Sequence, residues 1–96
     1  GAEGVISVAS NIIPKEIVKM VNSFATGKAA AALKLHQNYY PLFKDLFIET
    51  NPVPTKAALA MLGKCSEVYR LPLCKMSVGN RAQLAKTLEV CGVLKK

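Results

Sequence analysis

Carboxylates and histidine are the residues most often used for acid–base and metal chemistry, and this chain carries few of them. Its carboxylic acids are spread along the whole chain: Glu3, Glu16, Asp45, Glu49, Glu67 and Glu89. General acid–base catalysis needs such groups held together, so we predict that these acids are surface charges. His36 is the only histidine and has no acid three or four residues away. We predict a surface or packing role for it, with a metal ligand or base as the alternative.

The cysteines and glycines give no signal of a metal, redox or phosphate site. Three cysteines, Cys65, Cys74 and Cys91, are an odd number and lack CxxC spacing. Reduced and mostly buried thiols are therefore predicted. The six glycines are dispersed and do not form a phosphate-binding loop. No metal and no cofactor are predicted for this chain.

Tyrosines and lysines offer a weaker possibility of chemistry. Tyr39, Tyr40 and Tyr69 have the chemistry of proton relays, but aromatic residues at helical spacing are more often core residues. A lysine forms a Schiff base readily only when it is desolvated, and every lysine here lies in a polar or helix-surface context. We therefore assign no catalytic residue to this chain.

The composition limits the size, the partners and the location that are expected for this protein. The 96 residues suffice for one small domain, and the hydrophobic fraction of 51% predicts that some apolar side chains face a partner. The net charge is +7, but the basic residues are scattered singly, so a solvated surface is favoured over nucleic-acid binding. The longest uncharged stretch, residues 4–14, is too short and too polar to span a membrane, and no secretory signal is recognisable. A cytoplasmic location is the default expectation.

The first residues predict a strand that lacks neighbours. The apolar run at residues 5–8 is bounded by glycine and by Ser10 and Asn11, which is typical of a buried strand that leads into a helix. No other segment is strand-like enough to pair with it. Its backbone polar groups therefore need strands from other sequence. A self-sufficient sheet within this chain would contradict that inference.

The remainder predicts about four helices. Proline at position 14 opens a helix that ends at Gly27, with one apolar face: Ile17, Val18, Val21, Phe24 and Ala25. Residues 28–49 predict a helix kinked at Pro41 that packs on two sides, because two apolar stripes run along it. These stripes are Ala29, Leu33, Tyr40, Phe43 and Phe47, and Leu35, Tyr39, Leu42 and Leu46.

Prolines, glycines and polar residues delimit the C-terminal half. Residues 51–54 predict a stiff connector, residues 55–62 a short helix stopped by Gly63, and residues 70–73 an extended segment. Asn80 with Gln83 three residues later resembles a capping box that opens the last helix, which Gly92 ends. The predicted fold is mainly α, with about four helices and one short strand.

Three sequence blocks, in this order and spacing, resemble the C-terminal third of the dihydrodipicolinate synthase family of pyruvate-dependent Schiff-base lyases and aldolases. They are GAEGVISVASNIIPKE at residues 1–16, LFIETNPVPTKAAL at residues 46–59 and YRLPL at residues 69–73. The resemblance covers essentially all of the chain. The NPxPxK and RLPL blocks favour the synthase branch over the N-acetylneuraminate lyase branch, which stays the alternative within the family.

The resemblance implies a (β/α)₈ TIM barrel followed by a helical appendage. Residues 1–27 then correspond to the eighth barrel strand and helix, and residues 28–96 to the C-terminal helical domain. In this family a lysine on the sixth strand condenses with pyruvate, a tyrosine relays protons, and the enamine attacks aspartate semialdehyde in lysine biosynthesis. Those residues lie upstream of the matched part, so the resemblance implies that this chain is inactive alone.

One site residue is carried over by its place in GVISV. Ile6 resembles the family residue that lines the pyruvate pocket and contacts pyruvate partly through its backbone, and Ser7 is its neighbour. Packing in the barrel core is the alternative role for Ile6. The implied partners are pyruvate, aspartate semialdehyde, the rest of the barrel and further copies in a dimer or tetramer, without nucleic acid or membrane.

A second class of function stays open at this point. A free-standing basic helical module would use its exposed apolar faces and its charge of +7 to bind an acidic protein or nucleic acid. Binding that weakens steeply with salt would favour this hypothesis.

Overall fold

The computed structural model describes residues 1–95, which form four α-helices and one 3₁₀ turn. Their bounds are the 3₁₀ turn Ala9–Asn11, α1 Pro14–Ala25, α2 Ala29–Asp45, α3 Val53–Met61 and α4 Val78–Val90. This confirms the prediction of a mainly helical chain with about four helices. None of these four helices is both long enough and apolar enough to cross a membrane.

The strand predicted over residues 5–8 is not formed. Throughout residues 1–95 no strand is present, and residues 1–6 have no hydrogen-bond partner there. Val5 is 65% exposed and Ile6 is fully exposed. A strand is defined by its pairing with neighbours, and this segment has no such pairing within residues 1–95. A sheet formed within this chain would have contradicted the inference that the segment needs strands from other sequence, and residues 1–95 contain no such sheet.

Helix α1 buries only part of its predicted apolar face. Ile17 is buried and packs toward α2, whereas Val18 and Phe24 are 58% and 71% exposed. Most of the predicted apolar face is therefore left uncovered by residues 1–95. Side chains of this kind are normally covered in a folded protein, and no element between residues 1 and 95 covers them here.

Helix α2 carries both predicted stripes, but only one is covered. Leu42 and Leu46 are fully buried, while Leu33, Tyr40 and Phe47 on the other stripe are more than half exposed. Helix α2 contacts both α1 and α4, but most of its second stripe is left uncovered by residues 1–95. Pro41 lies inside α2, which continues on both sides of it.

The core joins α2, α3 and α4. Six side chains at its centre have no exposed surface: Leu42, Leu46, Ala57, Ala58, Leu84 and Leu88. The alanines of α3 lack bulky side chains, so leucines of the neighbouring helices fill the space around them. The same core includes Ala9, Ile12 and Ile13 around the 3₁₀ turn.

The helix ends follow the predicted glycine stops. Gly27, Gly63 and Gly92 have φ of +84°, +70° and +72°, a conformation that favours glycine. After α3, the amide of Lys64 donates to the carbonyl of Leu59 and that of Gly63 to Ala60, which is a Schellman motif. The start of α3 differs from its prediction, because Pro54 fits in the first helical turn and the helix begins at Val53.

The last helix is capped by Ser77 rather than by Asn80. The Ser77 hydroxyl accepts the Asn80 amide at 3.4 Å. Glu49 is the second partner, since its Oε2 accepts the Ser77 amide at 3.1 Å, the Ser77 hydroxyl at 3.2 Å and Asn80 Nδ2 at 2.9 Å. The predicted Asn80 cap is wrong because the Asn80 side chain bonds Glu49 instead. A carboxylate at a helix N-terminus is electrostatically favourable.

Asp45 is a buried carboxylate, which corrects the prediction that every acid is a surface charge. It is only 6% exposed and lies at the end of α2. Its Oδ2 accepts hydrogen bonds from the Thr87 hydroxyl and from Gln83 Nε2 on α4. A charge this buried is tolerated when it is hydrogen-bonded, so these bonds hold α4 against α2.

We expect the 96-residue chain, when produced alone, to self-associate through the uncovered faces of α1 and α2. Light scattering should report an apparent mass above that of the monomer, rising with protein concentration. Val18→Lys should lower this mass, because it places a charge on the exposed face of α1. The control is Val68→Lys, a change at a loop valine that is also 63% exposed. A monomer at high concentration would contradict the expectation.

We expect the contacts of Glu49 to weaken as the pH falls. The hydrogen bond from Asn80, followed by those from Ser77, lowers the pKa of Glu49 below its ordinary value of 4.5. A carboxyl group with a lowered folded-state pKa contributes stability above its unfolded pKa and loses it as pH falls through the folded value. Hydrogen-exchange protection of the Ser77 and Asn80 amides should therefore fall below about pH 4.5. Glu49→Gln should remove this pH dependence, and a dependence that persists in that variant would refute the assignment.

Candidate functional site

The predicted site residue Ile6 lies at the exposed end of the chain. It lies in the irregular segment that precedes Ser7 and the 3₁₀ turn. The Ile6 side chain touches no core residue and is fully exposed. Its position is therefore determined by the backbone that follows it.

That backbone is held by a pair of serines, here called the Ser7–Ser10 clasp. The Ser10 hydroxyl donates to the Ser7 carbonyl at 2.6 Å, and the Ser10 amide donates to Ser7 Oγ at 3.3 Å. One turn further on, Asn11 donates to the Val8 carbonyl twice, from Nδ2 at 3.0 Å and from its amide at 3.2 Å. Short polar side chains commonly close turns in this way.

The clasp rests on the helical core. Ala9 is 6% exposed and Ile13 is 4% exposed, and both belong to the core that contains Val53 and Ala57 of α3. The 3₁₀ turn therefore has a buried apolar side toward α3 and a polar side formed by the clasp. Ile6 therefore precedes a 3₁₀ turn that is packed against the helices.

A second polar cluster surrounds Tyr69. Its hydroxyl lies 3.2 Å from Glu67 Oε1 and 3.4 Å from the Val53 carbonyl, and Lys56 Nζ lies 5.8 Å from its ring centre. Burial, followed by the neighbouring Glu67 carboxylate, raises the pKa of Tyr69 to about 12. Glu67 also pairs with Arg81 on α4 at 3.1 Å. This cluster ties the segment after α3 to both α3 and α4.

The contacts of this cluster are structural. The Tyr69 hydroxyl is held between Glu67 and the carbonyl of Val53, which joins the segment after α3 to the start of that helix. Tyr39 is half-buried, and burial raises its pKa as well. Tyr40 is 54% exposed, so the predicted core role is wrong for Tyr40 within this chain.

The remaining candidate residues are not brought together. The ring of His36 lies 5.8 Å from the rings of Tyr40 and Phe43, which is a packing role on the outer face of α2. No group of three potential metal ligands occurs in residues 1–95. A groove of about 310 Å³ beside the start of α3 contains one carboxylate, Glu49, which already accepts three hydrogen bonds.

The cysteines are unpaired, as predicted, but they are less buried than predicted. Cys65 and Cys74 are exposed, and Cys91 is half-buried. Cys65 and Cys74 lie in the surface segment after α3, whereas Cys91, directly after α4, packs against the edge of the core. Burial raises the pKa of the Cys91 thiol, which disfavours the thiolate.

The contact between Ser10 and Ser7 was not predicted from the sequence, where Ser10 served only as a boundary of the apolar run. The spacing of two serines three residues apart, directly before a helix, is a recognisable turn pattern. The turn between Ser7 and Ser10 was therefore detectable from the sequence.

Comparison with known proteins gives a family. The sequence profile of the Dihydrodipicolinate synthetase family matches residues 1–91. A relative from Thermodesulfovibrio yellowstonii, named 4-hydroxy-tetrahydrodipicolinate synthase, is 48% identical over 95 residues, which are 99% of this chain and 33% of that protein. The chain thus spans about a third of the length of the curated relatives it matches.

Solved structures agree with this assignment. A dihydrodipicolinate synthase from Aquifex aeolicus superposes with a TM-score of 0.94 at 43% identity, over 100% of this chain and 33% of that one. A structure described as a monomeric dihydrodipicolinate synthase variant gives a TM-score of 0.95 at 39% identity, over 98% of this chain and 31% of that one. The chain therefore belongs to the dihydrodipicolinate synthetase family and corresponds to a C-terminal part of those enzymes.

Proposed function

We propose that these residues form the eighth β/α unit and the C-terminal helical domain of a dihydrodipicolinate synthase. That enzyme condenses pyruvate with aspartate semialdehyde through a lysine Schiff base, in lysine and diaminopimelate biosynthesis. The observation that carries the proposal is the match to synthases along 99% of the chain at 48% identity. The unpaired apolar segment at residues 1–6 supports it, because an eighth barrel strand needs neighbours on both sides.

The exposed apolar surface fits an assembled barrel. Val5, Ile6, Val18 and Phe24 are all more than half exposed here. In a TIM barrel, the strand pairs with its neighbours and the following helix packs against the barrel wall. The proposal therefore accounts for these side chains as surface that the rest of the barrel buries.

Ile6 is the residue of this chain that we place at the substrate pocket. Active sites of TIM barrels lie at the carboxyl ends of the strands, and Ile6 precedes the 3₁₀ turn at that end of the proposed strand. The Schiff-base lysine and the proton-relay tyrosine belong to the upstream part of the enzyme. Residues 1–96 then contribute a pocket wall and its support but no reacting group.

The proposed division of the chain is residues 1–27 for the barrel unit and residues 28–96 for the helical domain. The two parts share one core, since Ile13 and Ile17 pack with Leu42 and Leu88. The helical domain therefore supports the last barrel unit directly, instead of being attached by a flexible linker.

Assembly and location are further parts of the proposal. A dimer or tetramer is proposed for the whole enzyme, although one structure that this chain resembles is described as a monomeric variant. Three free cysteines suit a reducing compartment, which supports a cytoplasmic location. The relatives reported above are named as synthases, so neither a nucleic-acid module nor an N-acetylneuraminate lyase is supported.

A chimera tests the function. The upstream part of the T. yellowstonii synthase, joined to residues 1–96 in place of its own C-terminal part, should condense pyruvate with aspartate semialdehyde. The upstream part alone should be inactive, because it lacks one barrel unit. A folded chimera without synthase activity would contradict the proposed function.

Trapping with borohydride tests the assignment of the lysine. In the presence of pyruvate, a reduced adduct should form on a lysine of the upstream part of the chimera. The 96-residue chain by itself should give no adduct by mass spectrometry. A stoichiometric adduct on any lysine of residues 1–96 would show that the nucleophile had been misplaced.

A further inference from the structure

We propose that Ser10 is a positioning residue for the pyruvate pocket, because the Ser7–Ser10 clasp fixes the backbone that carries Ile6. This inference rests on the proposed function and assigns a role to a residue that the chemistry of the enzyme does not require. Ser10 touches neither Ile6 nor a reacting group. It acts through Ser7, the next residue in the chain.

The clasp consists of two hydrogen bonds, both donated by Ser10 and accepted by Ser7, and is therefore stiff. Ser10 gives its hydroxyl proton to the Ser7 carbonyl at 2.6 Å and its amide proton to Ser7 Oγ at 3.3 Å. Two bonds between the same two residues restrict both the peptide plane that follows Ser7 and the side chain of Ser7. The first of these is the shorter bond, and it depends on the Ser10 side chain.

The clasp also determines where sheet pairing ends. The carbonyl of Ser7 is turned toward Ser10, and the carbonyl of Val8 accepts two bonds from Asn11. Carbonyls directed into a turn are not available in the strand direction. Ile6 is therefore the last residue whose backbone is free to pair with a neighbouring strand or to face a substrate.

The base of the clasp is rigid. Ser10 is half-buried between Ala9 and the buried pair Ile12 and Ile13, which pack into the core with α3. The chain of contacts thus runs from the core through the 3₁₀ turn and the clasp to Ile6. Without the Ser10 hydroxyl, residues 1–7 keep only the weaker amide bond to that base.

The test uses the active chimera and compares Ser10→Ala with Ser10→Thr. Loss of one neutral hydrogen bond predicts an increase of about fivefold in KM for pyruvate in Ser10→Ala. The kcat value and the KM for aspartate semialdehyde should change less than about twofold, because the reacting groups are untouched. Ser10→Thr keeps the hydroxyl and should restore most of the pyruvate affinity.

Two further variants keep the result interpretable. Ser66→Ala removes a serine hydroxyl in an exposed loop, where it bonds no other residue that the structure describes, and should leave both KM values unchanged. If Ser10→Ala does not fold, Ser7→Ala tests the same clasp, since it removes the acceptor of the Ser10 amide and keeps the Ser7 carbonyl. It should raise KM for pyruvate by a smaller factor, about twofold.

The outcomes separate this inference from the function on which it rests. An active chimera in which Ser10→Ala leaves KM for pyruvate unchanged, or lowers kcat alone, overturns the positioning role and leaves the synthase function intact. An equal increase in KM in Ser66→Ala also overturns it. A chimera that folds without activity, whether built on the T. yellowstonii or the A. aeolicus synthase, overturns the proposed function and this inference with it.

Discussion

Backbone amides and carbonyls need hydrogen-bond partners, and the first six residues have none among the residues that the structure describes. This constraint explains why an apolar segment with β-branched residues stays exposed instead of forming a strand. The helices bury one side of the 3₁₀ turn, and Ile6 lies exposed before its other side. In the proposed barrel, neighbouring strands would supply the missing hydrogen-bond partners.

The exposed faces of α1 and α2 agree with the proposal that other parts of an enzyme cover them. Helix α2 has leucines on one side that are fully buried and a leucine and two aromatic residues on the other that are more than half exposed. A free-standing helical domain of this size would place polar residues on such a face. The composition, with 51% hydrophobic residues, already indicated more apolar surface than one small core can cover.

Local signals in the sequence predicted local structure well. Proline at the first turn of α1 and glycine after α1, α3 and α4 act within a few residues, so the helix ends were predictable from sequence. Contacts between residues that are distant in sequence were not predicted. Asp45 is buried because Thr87, 42 residues away, bonds it, and the Asn80 side chain is drawn from its predicted cap to Glu49, 31 residues away. Ile6 remains a prediction that rests on the family resemblance, because the pocket it would line needs other strands.

The bond between Asp45 and Thr87 has a consequence for the C-terminal end. Asp45 is enclosed by α2 and α4, and its partners Gln83 and Thr87 lie one turn apart on the final helix. A chain that ended before Thr87 would lose the Thr87 donor of that carboxylate and the fully buried Leu88 in the same step, leaving Gln83 as its donor. Trimming from this end is therefore abrupt in its effect: loss of the last turn of α4, from Thr87 onward, removes both a polar and an apolar anchor of the helix.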